Sequence, residues 1–408
     1  MEKIATLTPK LRDEIQDAAH DLLPRISKIR RHLHAHPELS FKEFNTASFV
    51  ADELEALGIP YQRMAETGIV ALIQGKNPSK KIIALRADLD ALPITEQNDV
   101  PYKSTNEGVM HACGHDVHAS SLLGVAHILK KFSDRFEGTV KLIFQPGEEK
   151  APGGASIMIK EGVLENPTPS AIFAQHVFPS LPAGKVGFRS GMYMASTDEL
   201  YMTVIGKGGH AAMVNDYVNP VLIASTIIAA LHQFIMDEKT RLRSAGENPT
   251  VLAFGRIEGL GATNVIPEKV LVEGTFRTMN EEWRKKAHEF LKKTAIAVAR
   301  DMGGDCEFKV ENGYPFLVND IPLTERARTV AEEYLGKENV VELEKRMTAE
   351  DFAFFSQKMP ACFYRLGTAS PDGKFTAGVH TPIFDVDEKS LETGMGLMAY
   401  MTIDALGQ

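Results

Sequence analysis

Between residues 68 and 177 the chain alternates short apolar runs with one stretch of helical periodicity. Gly68 to Gln74, Lys81 to Ala87, Thr139 to Gln145 and Ala171 to Val177 read as strands, and Ala119 to Phe132 reads as a helix. The run Ile82-Ile83-Ala84-Leu85 is apolar at every position, so neither face of that strand is offered to water. Such strands belong to a central sheet covered by helices on both sides. A different rhythm begins near Ala195. Glu199 to Ile205, Thr250 to Ile257, Lys269 to Arg277 and Cys306 to Glu311 read as strands, and Asn219 to Phe234 and Glu281 to Arg300 as helices. That order, β-α-β-β-α-β, is the ferredoxin-like unit. After Gly313-Tyr314-Pro315 the first pattern resumes. Helices are expected near Pro322 to Leu335, Glu350 to Gln357 and Glu388 to Ala405, with a strand at Ala361 to Leu366. The pattern predicts an α/β domain with a central, mostly parallel sheet, built from residues 1–194 and 313–408 and interrupted by an inserted ferredoxin-like α+β domain over 195–312.

Length supports the division, because single cores stop growing near roughly 250–300 residues and the chain has 408. Hydrophobic content of 44% and charged content of 24% are those of an ordinary soluble globular protein. The net charge of −9 comes from interspersed acidic and basic residues, with no basic stripe for nucleic acid or an anionic membrane. A small-molecule or peptide partner is the simpler expectation. Met1 to Gln16 alternate charged and apolar residues and lack the apolar core of a signal peptide. The longest apolar stretch, Pro220 to Leu231, reads as too short to span a bilayer. Cys113, Cys306 and Cys362 are an odd, widely spaced set, which argues against a disulfide framework and for a reducing compartment. A cytoplasmic protein is expected.

The segment Met110 to His118 carries a thiol and three imidazoles around Gly114. Cys113 and His115 lie two apart, so in an extended stretch their side chains point the same way and suit one metal centre. A second signal follows where the strand ending at Gln145 breaks at Pro146-Gly147 and delivers Glu148-Glu149. Adjacent carboxylates at a strand end divide labour well, one ligating a metal while the other serves as general base. Asp88 and His176 also fall at strand ends, where ligand sites of open α/β sheets form. Competing signals are weaker. Gly206-Lys-Gly208-Gly-His-Ala211 matches a degenerate dinucleotide fingerprint, but no acidic residue closes a second strand about 20 positions on. A Gly-x-Ser-x-Gly elbow, a His-Glu-x-x-His helix and a Cys-x-x-Cys pair are all absent.

The ordered motifs resemble those of the aminoacylase and carboxypeptidase family of di-metal amidohydrolases, in the branch with hippurate hydrolases, N-acetyl-diaminopimelate deacetylases and auxin-conjugate hydrolases. They are Arg30-Arg-His-Leu-His-Ala-His-Pro-Glu-Leu39, Arg86-Ala-Asp-Leu-Asp-Ala-Leu-Pro93, Met110 to His118, Gln145-Pro-Gly-Glu-Glu149, Gln175-His-Val177, Gly206 to Ala212, Thr263-Asn-Val-Ile-Pro267, Glu350-Asp-Phe352 and His380-Thr-Pro-Ile-Phe384. The resemblance implies Cys113, His115, Glu149, His176 and His380 as ligands of two divalent metal ions, and Glu148 as general base. Zinc, manganese, cobalt or nickel suits such a mixed thiolate, imidazole and carboxylate set. Asp88 resembles a carboxylate that orients a ligand imidazole, and Asp116 is a weaker candidate for the same role. The resemblance further implies that the inserted domain is a lid or dimerisation domain, and that the protein is a homo-oligomer, a dimer or a dimer of dimers. It implies that His210 stabilises the oxyanion, often in the partner subunit's site, while Asn264 and Arg277 hold the substrate carboxylate. One departure is Val214-Asn215, where the family has Pro-His. The implied activity is cleavage of the amide bond of N-acyl amino acids by a hydroxide held between the metals. A metallo-carboxypeptidase or dipeptidase acting on short peptides is the alternative. A binding protein that has lost catalysis is disfavoured because Glu148 is present.

Overall fold

A computed structural model describes residues 8–243 and 249–408; the first residues of the stretch read above for a signal peptide lie outside them. The chain forms two compact units. One comprises the residues up to Gly191 with Val318–Glu344 and Asp351–Gln408, and the other comprises Met192–Leu317 with Lys345–Glu350.

The first unit is built on an eight-stranded sheet. Its middle strands, Thr139–Gln145, Ile82–Asp88, Ala171–Pro182 and Ala361–Ala369, run parallel to one another. Parallelism stops on either side of them: Gly68–Gln74 pairs antiparallel with Thr139–Gln145, and Val186–Phe188 antiparallel with Ala361–Ala369. The sheet is therefore mixed, with a parallel centre. Every residue of Thr139–Gln145 is buried, including Lys141, the one charged residue in the run, whose ammonium donates to the Val163 and Glu165 carbonyls at 2.8 and 2.7 Å. The helices Pro9–Ala35, His115–Lys131 and Ser390–Gly407 pack on one another, and the last two also reach the strands.

Several elements depart from the sequence reading. Pro9–Ala35 and Phe44–Ala56 are helices that the reading did not pick out. The first is capped by Thr8, whose hydroxyl accepts the Leu11 N–H at 3.2 Å, and Pro9 sits where its missing N–H costs nothing. The helix expected over Glu350 to Gln357 shrinks to Ala353–Ser356. His115 is not in an extended stretch but opens a helix, His115–Lys131, four residues before the expected start. Gly114 turns the chain there with φ of +82°, and a Cβ at that position would lie 2.6 Å from a Val177 methyl, so only glycine fits.

In the second unit the strand order is Thr250–Glu258, Lys269–Thr278, Asp198–Ile205, Asp305–Asn312, antiparallel throughout, with helices Pro220–Arg243 and Glu281–Asp301. This is the β-α-β-β-α-β order read from the periodicity. The apolar stretch judged too short for a bilayer belongs to a longer helix: Pro220–Glu238 is long and apolar enough to cross a membrane by length and composition alone. Its Ile223, Ala224, Ile227, Leu231 and Ile235 are buried in the unit's own core, with Val204, Val272 and Leu291. One face of the helix is thus packed in that core, while Val221, Leu222 and Met236 are exposed.

Candidate metal centre

Four segments of the first unit deliver the candidate ligands. The Gly114 turn carries Cys113 and His115, the loop after Thr139–Gln145 carries Glu148 and Glu149, and the strand Ala171–Pro182 carries His176. His380 comes from a loop near the C-terminus. It holds a left-handed backbone with φ of +63°, a conformation that a non-glycine residue keeps where its surroundings impose it. Its N–H is tied to the Ala112 carbonyl at 2.7 Å, so the fourth segment is pinned against the first.

The donor atoms fall into two groups that share Cys113. In one, the ligand atoms of Cys113, His115 and His176 lie within 4.8 Å of one another, and in the other so do those of Cys113, Glu149 and His380. The Cys113 Sγ is 3.5 Å from His176 Nε2 and 3.3 Å from His380 Nε2, and His380 Nε2 is 3.1 Å from Glu149 Oε1. His115, Glu148 and Glu149 form a further group within the same limit.

Two of the imidazoles are held in fixed orientations. His115 Nδ1 faces the Asp90 carbonyl at 2.8 Å, so that nitrogen carries the proton. Its Nε2 is buried and without a hydrogen-bond partner among the described residues; burial works against a charge on the ring, but Asp88 and Cys113 outweigh it and raise the pKa well above the usual histidine value, so an ion at Nε2 would take the place of a proton there. His176 is arranged likewise, with Nδ1 donating to the Val177 carbonyl at 2.8 Å. Burial, then the Arg365 charge, holds His176 well below the usual histidine pKa, which keeps it neutral and able to coordinate. For Cys113 burial, then the Glu149 carboxylate, pushes the thiol up. A thiolate here needs an adjacent cation, which a divalent ion supplies. Hydrogen bonds to Cys113 and Glu149 raise the His380 pKa to about 10. An orphaned imidazole nitrogen, two fixed tautomers and a shared thiol fit a pair of divalent ions.

Glu148 is buried beside this cluster. Its N–H donates to Asp90 Oδ1 at 3.1 Å, and its Oε1 accepts the Asp351 N–H at 3.4 Å. Asp90 is the residue that the sequence reading passed over. Its Oδ2 accepts the Glu149 N–H at 3.0 Å and the Ser40 hydroxyl at 2.6 Å, so one carboxylate sets the backbone of both glutamates. The available signal was the spacing Asp88-x-Asp90 at a strand end. Asp88 does not grip the expected ligand. It sits 3.7 Å from His115 Nε2 but accepts from His118 Nδ1 at 2.6 Å and from Arg86 at 2.7 Å. His115 already uses Asp90, so Asp88 orients His118 instead. Asp116 is buried and takes Arg30 and His34.

His210, Asn264 and Arg277 belong to the second unit. His210 lies on a two-residue strand, Gly209–His210; it pairs with Val265, its side chain is exposed, and the neighbouring Ala211 N–H reaches the Asn264 carbonyl at 3.0 Å. Arg277 is half-buried and donates to the Met347 carbonyl at 3.0 Å. Among the described residues no carboxylate pairs with it, and burial pulls its pKa down.

A model of the peptidase family M20/M25/M40 matches residues 84–404. The chain belongs to that family. It is accordingly a hydrolase, and the motifs read from the sequence resemble those of the correct branch. The chain is 36% identical to an N-acetylcysteine deacetylase of Bacillus subtilis, over 94% of this chain and 97% of that one. It is 35% identical to thermostable carboxypeptidase 2 of Saccharolobus solfataricus, over 97% and 98%. Among solved family structures, the YXEP protein of Bacillus subtilis, a dinuclear metal-binding peptidase, superposes with a TM-score of 0.81 at 34% identity, covering 95% of this chain and 99% of its own. Hydrolysis of amide bonds is the activity that these relatives support for the chain.

Proposed function

We propose that this enzyme cleaves the amide bond of N-acyl amino acids, with two divalent metal ions held by Cys113, His115, Glu149, His176 and His380, and with Glu148 as general base. The observation that carries this reading is the pair of donor groups sharing Cys113 beside a buried glutamate that belongs to neither. When bound, two divalent ions polarise the amide carbonyl and make water at the site more acidic. Glu148 then takes the proton of the attacking water and passes it to the leaving nitrogen. Its backbone N–H on Asp90 and its Oε1 on Asp351 hold it in one orientation for both transfers. We assign oxyanion stabilisation to His210 and substrate-carboxylate binding to Asn264 and Arg277. Support comes from the exposure of His210 and from an Arg277 fork that no protein carboxylate takes among the described residues.

The acyl-amino-acid substrate is favoured by the similarity to the N-acetylcysteine deacetylase. A second reading, a carboxypeptidase acting on short peptides, is favoured by the similarity to carboxypeptidase 2. The deciding experiment measures amine release from N-acetylcysteine, N-acetylmethionine, hippurate and a set of dipeptides, with metal content determined on the same preparation. The proposal expects higher kcat/KM on the N-acyl amino acids. A preference for dipeptides would transfer the assignment to the second reading. Protein with two metals per chain and no activity on any of them would reject both.

A further inference from the structure

A buried ionic cluster lies beside the ligand segments and takes no part in the steps above. Arg30, on the helix Pro9–Ala35, is wholly buried. Its Nε donates to Asp116 Oδ2 at 2.8 Å, and its Nη2 donates to Asp385 Oδ1 at 2.8 Å. Asp116 directly follows His115, and Asp385 closes the segment that His380 opens. One planar fork therefore joins the two segments that carry Cys113, His115 and His380. Each carboxylate has a further partner, Asp116 on the same oxygen that takes Arg30 and Asp385 on its other one. Asp116 Oδ2 meets His34 Nδ1 at 2.8 Å, His34 Nε2 meets Glu96 at 3.1 Å, and the Tyr102 hydroxyl donates to Asp385 Oδ2 at 2.9 Å. The Tyr102 ring lies 5.0 Å from the Arg30 guanidinium, which fixes its plane.

Stability alone is a poor reason for such a cluster, because buried ion pairs recover little more than the cost of taking their charges out of water, and apolar packing does as well. What a guanidinium adds is direction: two acceptors at a set separation and angle. The two segments it joins also meet at the His380 N–H bond to Ala112, beside the left-handed backbone of His380. Of the two donor groups, only Cys113, Glu149 and His380 draws on both segments; the group Cys113, His115 and His176 does not include His380.

We propose that Arg30 is a positioning residue for the metal centre: by holding Asp116 and Asp385 on one guanidinium, it sets the spacing of the Cys113 and His380 segments and thereby the affinity for the ion that Cys113, Glu149 and His380 share. The inference rests on the ligand set assigned under the proposed function. Arg30→Lys keeps the charge and removes the fork, and Asp385→Asn keeps the size and removes the charge. Metal-stripped protein is titrated calorimetrically with zinc, with thermal unfolding of the stripped protein recorded alongside. Wild type should bind two ions. Each variant should keep one binding step unchanged and weaken the other about 10–100-fold, the range for groups that orient ligands. The double variant should be no weaker than the weaker single, since both changes cut one link.

Unchanged affinity in both steps, whatever happens to the unfolding temperature, would make the cluster a clamp on the fold and overturn the proposal. So would equal weakening of both steps, or single effects that add in the double variant. If Arg30→Lys does not fold, Asp385→Asn decides alone, because Arg30 still holds Asp116 there. Cys113→Ser separates this inference from the ligand reading. If it binds both ions as wild type does, the ligand set is wrong and the proposal falls with it. If it loses metal while Arg30→Lys and Asp385→Asn do not, only the proposal falls.

Discussion

His118 donates its Nδ1–H to Asp88 Oδ1 in a hydrogen bond of 2.6 Å. Its other nitrogen accepts the Val177 N–H at 2.9 Å, so a single tautomer satisfies both partners and the ring cannot turn. Val177 follows His176, and the two imidazoles lie 4.7 Å apart at their centroids, which makes the Asp88–His118 pair a brace for the middle of the strand Ala171–Pro182, longer than the expected Ala171 to Val177, that carries a proposed ligand. Burial works against the Asp88 charge, but Arg86, His115 and His118 outweigh it and hold the carboxyl well below its usual range.

Asp88→Asn should therefore act on stability and on catalysis. Arg86 loses a buried carboxylate partner, which costs on the order of 3 kcal/mol in urea unfolding. The loosened strand around His176 should lower kcat/KM by roughly 10–100-fold. Lost stability with unchanged kcat/KM would reduce Asp88 to a purely structural group.

The two glutamates should separate in their effects. Glu148→Gln is expected to keep both metals and lose about 10²–10⁴-fold in kcat, the range for a positioned general base. Glu149→Gln should lose metal as well, read by elemental analysis after desalting. Equal metal retention in both variants, with Glu149→Gln the less active, would exchange the roles.

His210 invites a complementation test, given a homodimer. If His210 of one subunit serves its partner's site, His210→Ala and Glu148→Gln proteins should each be nearly inactive. Subunit exchange between them should then restore roughly a quarter of wild-type activity, since about half the dimers are mixed and each has one intact site. No recovery, with exchange confirmed by mass, would show that His210 acts in its own chain or not at all.

Lys141 predicts a pH dependence. Burial pulls its pKa from 10.5 to about 8. Between those values the unfolded chain binds a proton that the folded chain does not, so stability rises with pH across the window and the full cost of charging the amine remains below it. Urea midpoints of wild type, taken relative to Lys141→Met at several pH values from about 8 to 10.5, should climb. A flat difference would show that the two carbonyl partners of the ammonium offset its burial.

Much of the centre was legible because its chemistry is local. Cys113 and His115 share one short motif, and Glu148 and Glu149 are neighbours at a strand end. The change of rhythm near Ala195 likewise announced a unit with its own core, since a helix and a strand impose different spacings on apolar residues. The N-terminal helix escaped notice although Leu11, Ile15, Ala18, Ile26, Ile29 and Leu33 mark one buried face. Charged residues fill its other faces and Pro24 lies inside it, so the local signals conflict and packing resolves them.

By itself, then, the sequence determined which donor types are present and the order of strands and helices, because both follow from residue chemistry and short-range periodicity. Tertiary structure alone decided the pairings: that Asp90 serves His115 while Asp88 serves His118, and that Arg30 meets Asp385 across 355 positions of chain. Hydrogen bonds and ion pairs demand ångström-scale placement, and between residues so far apart only the packing of the elements that carry them provides it.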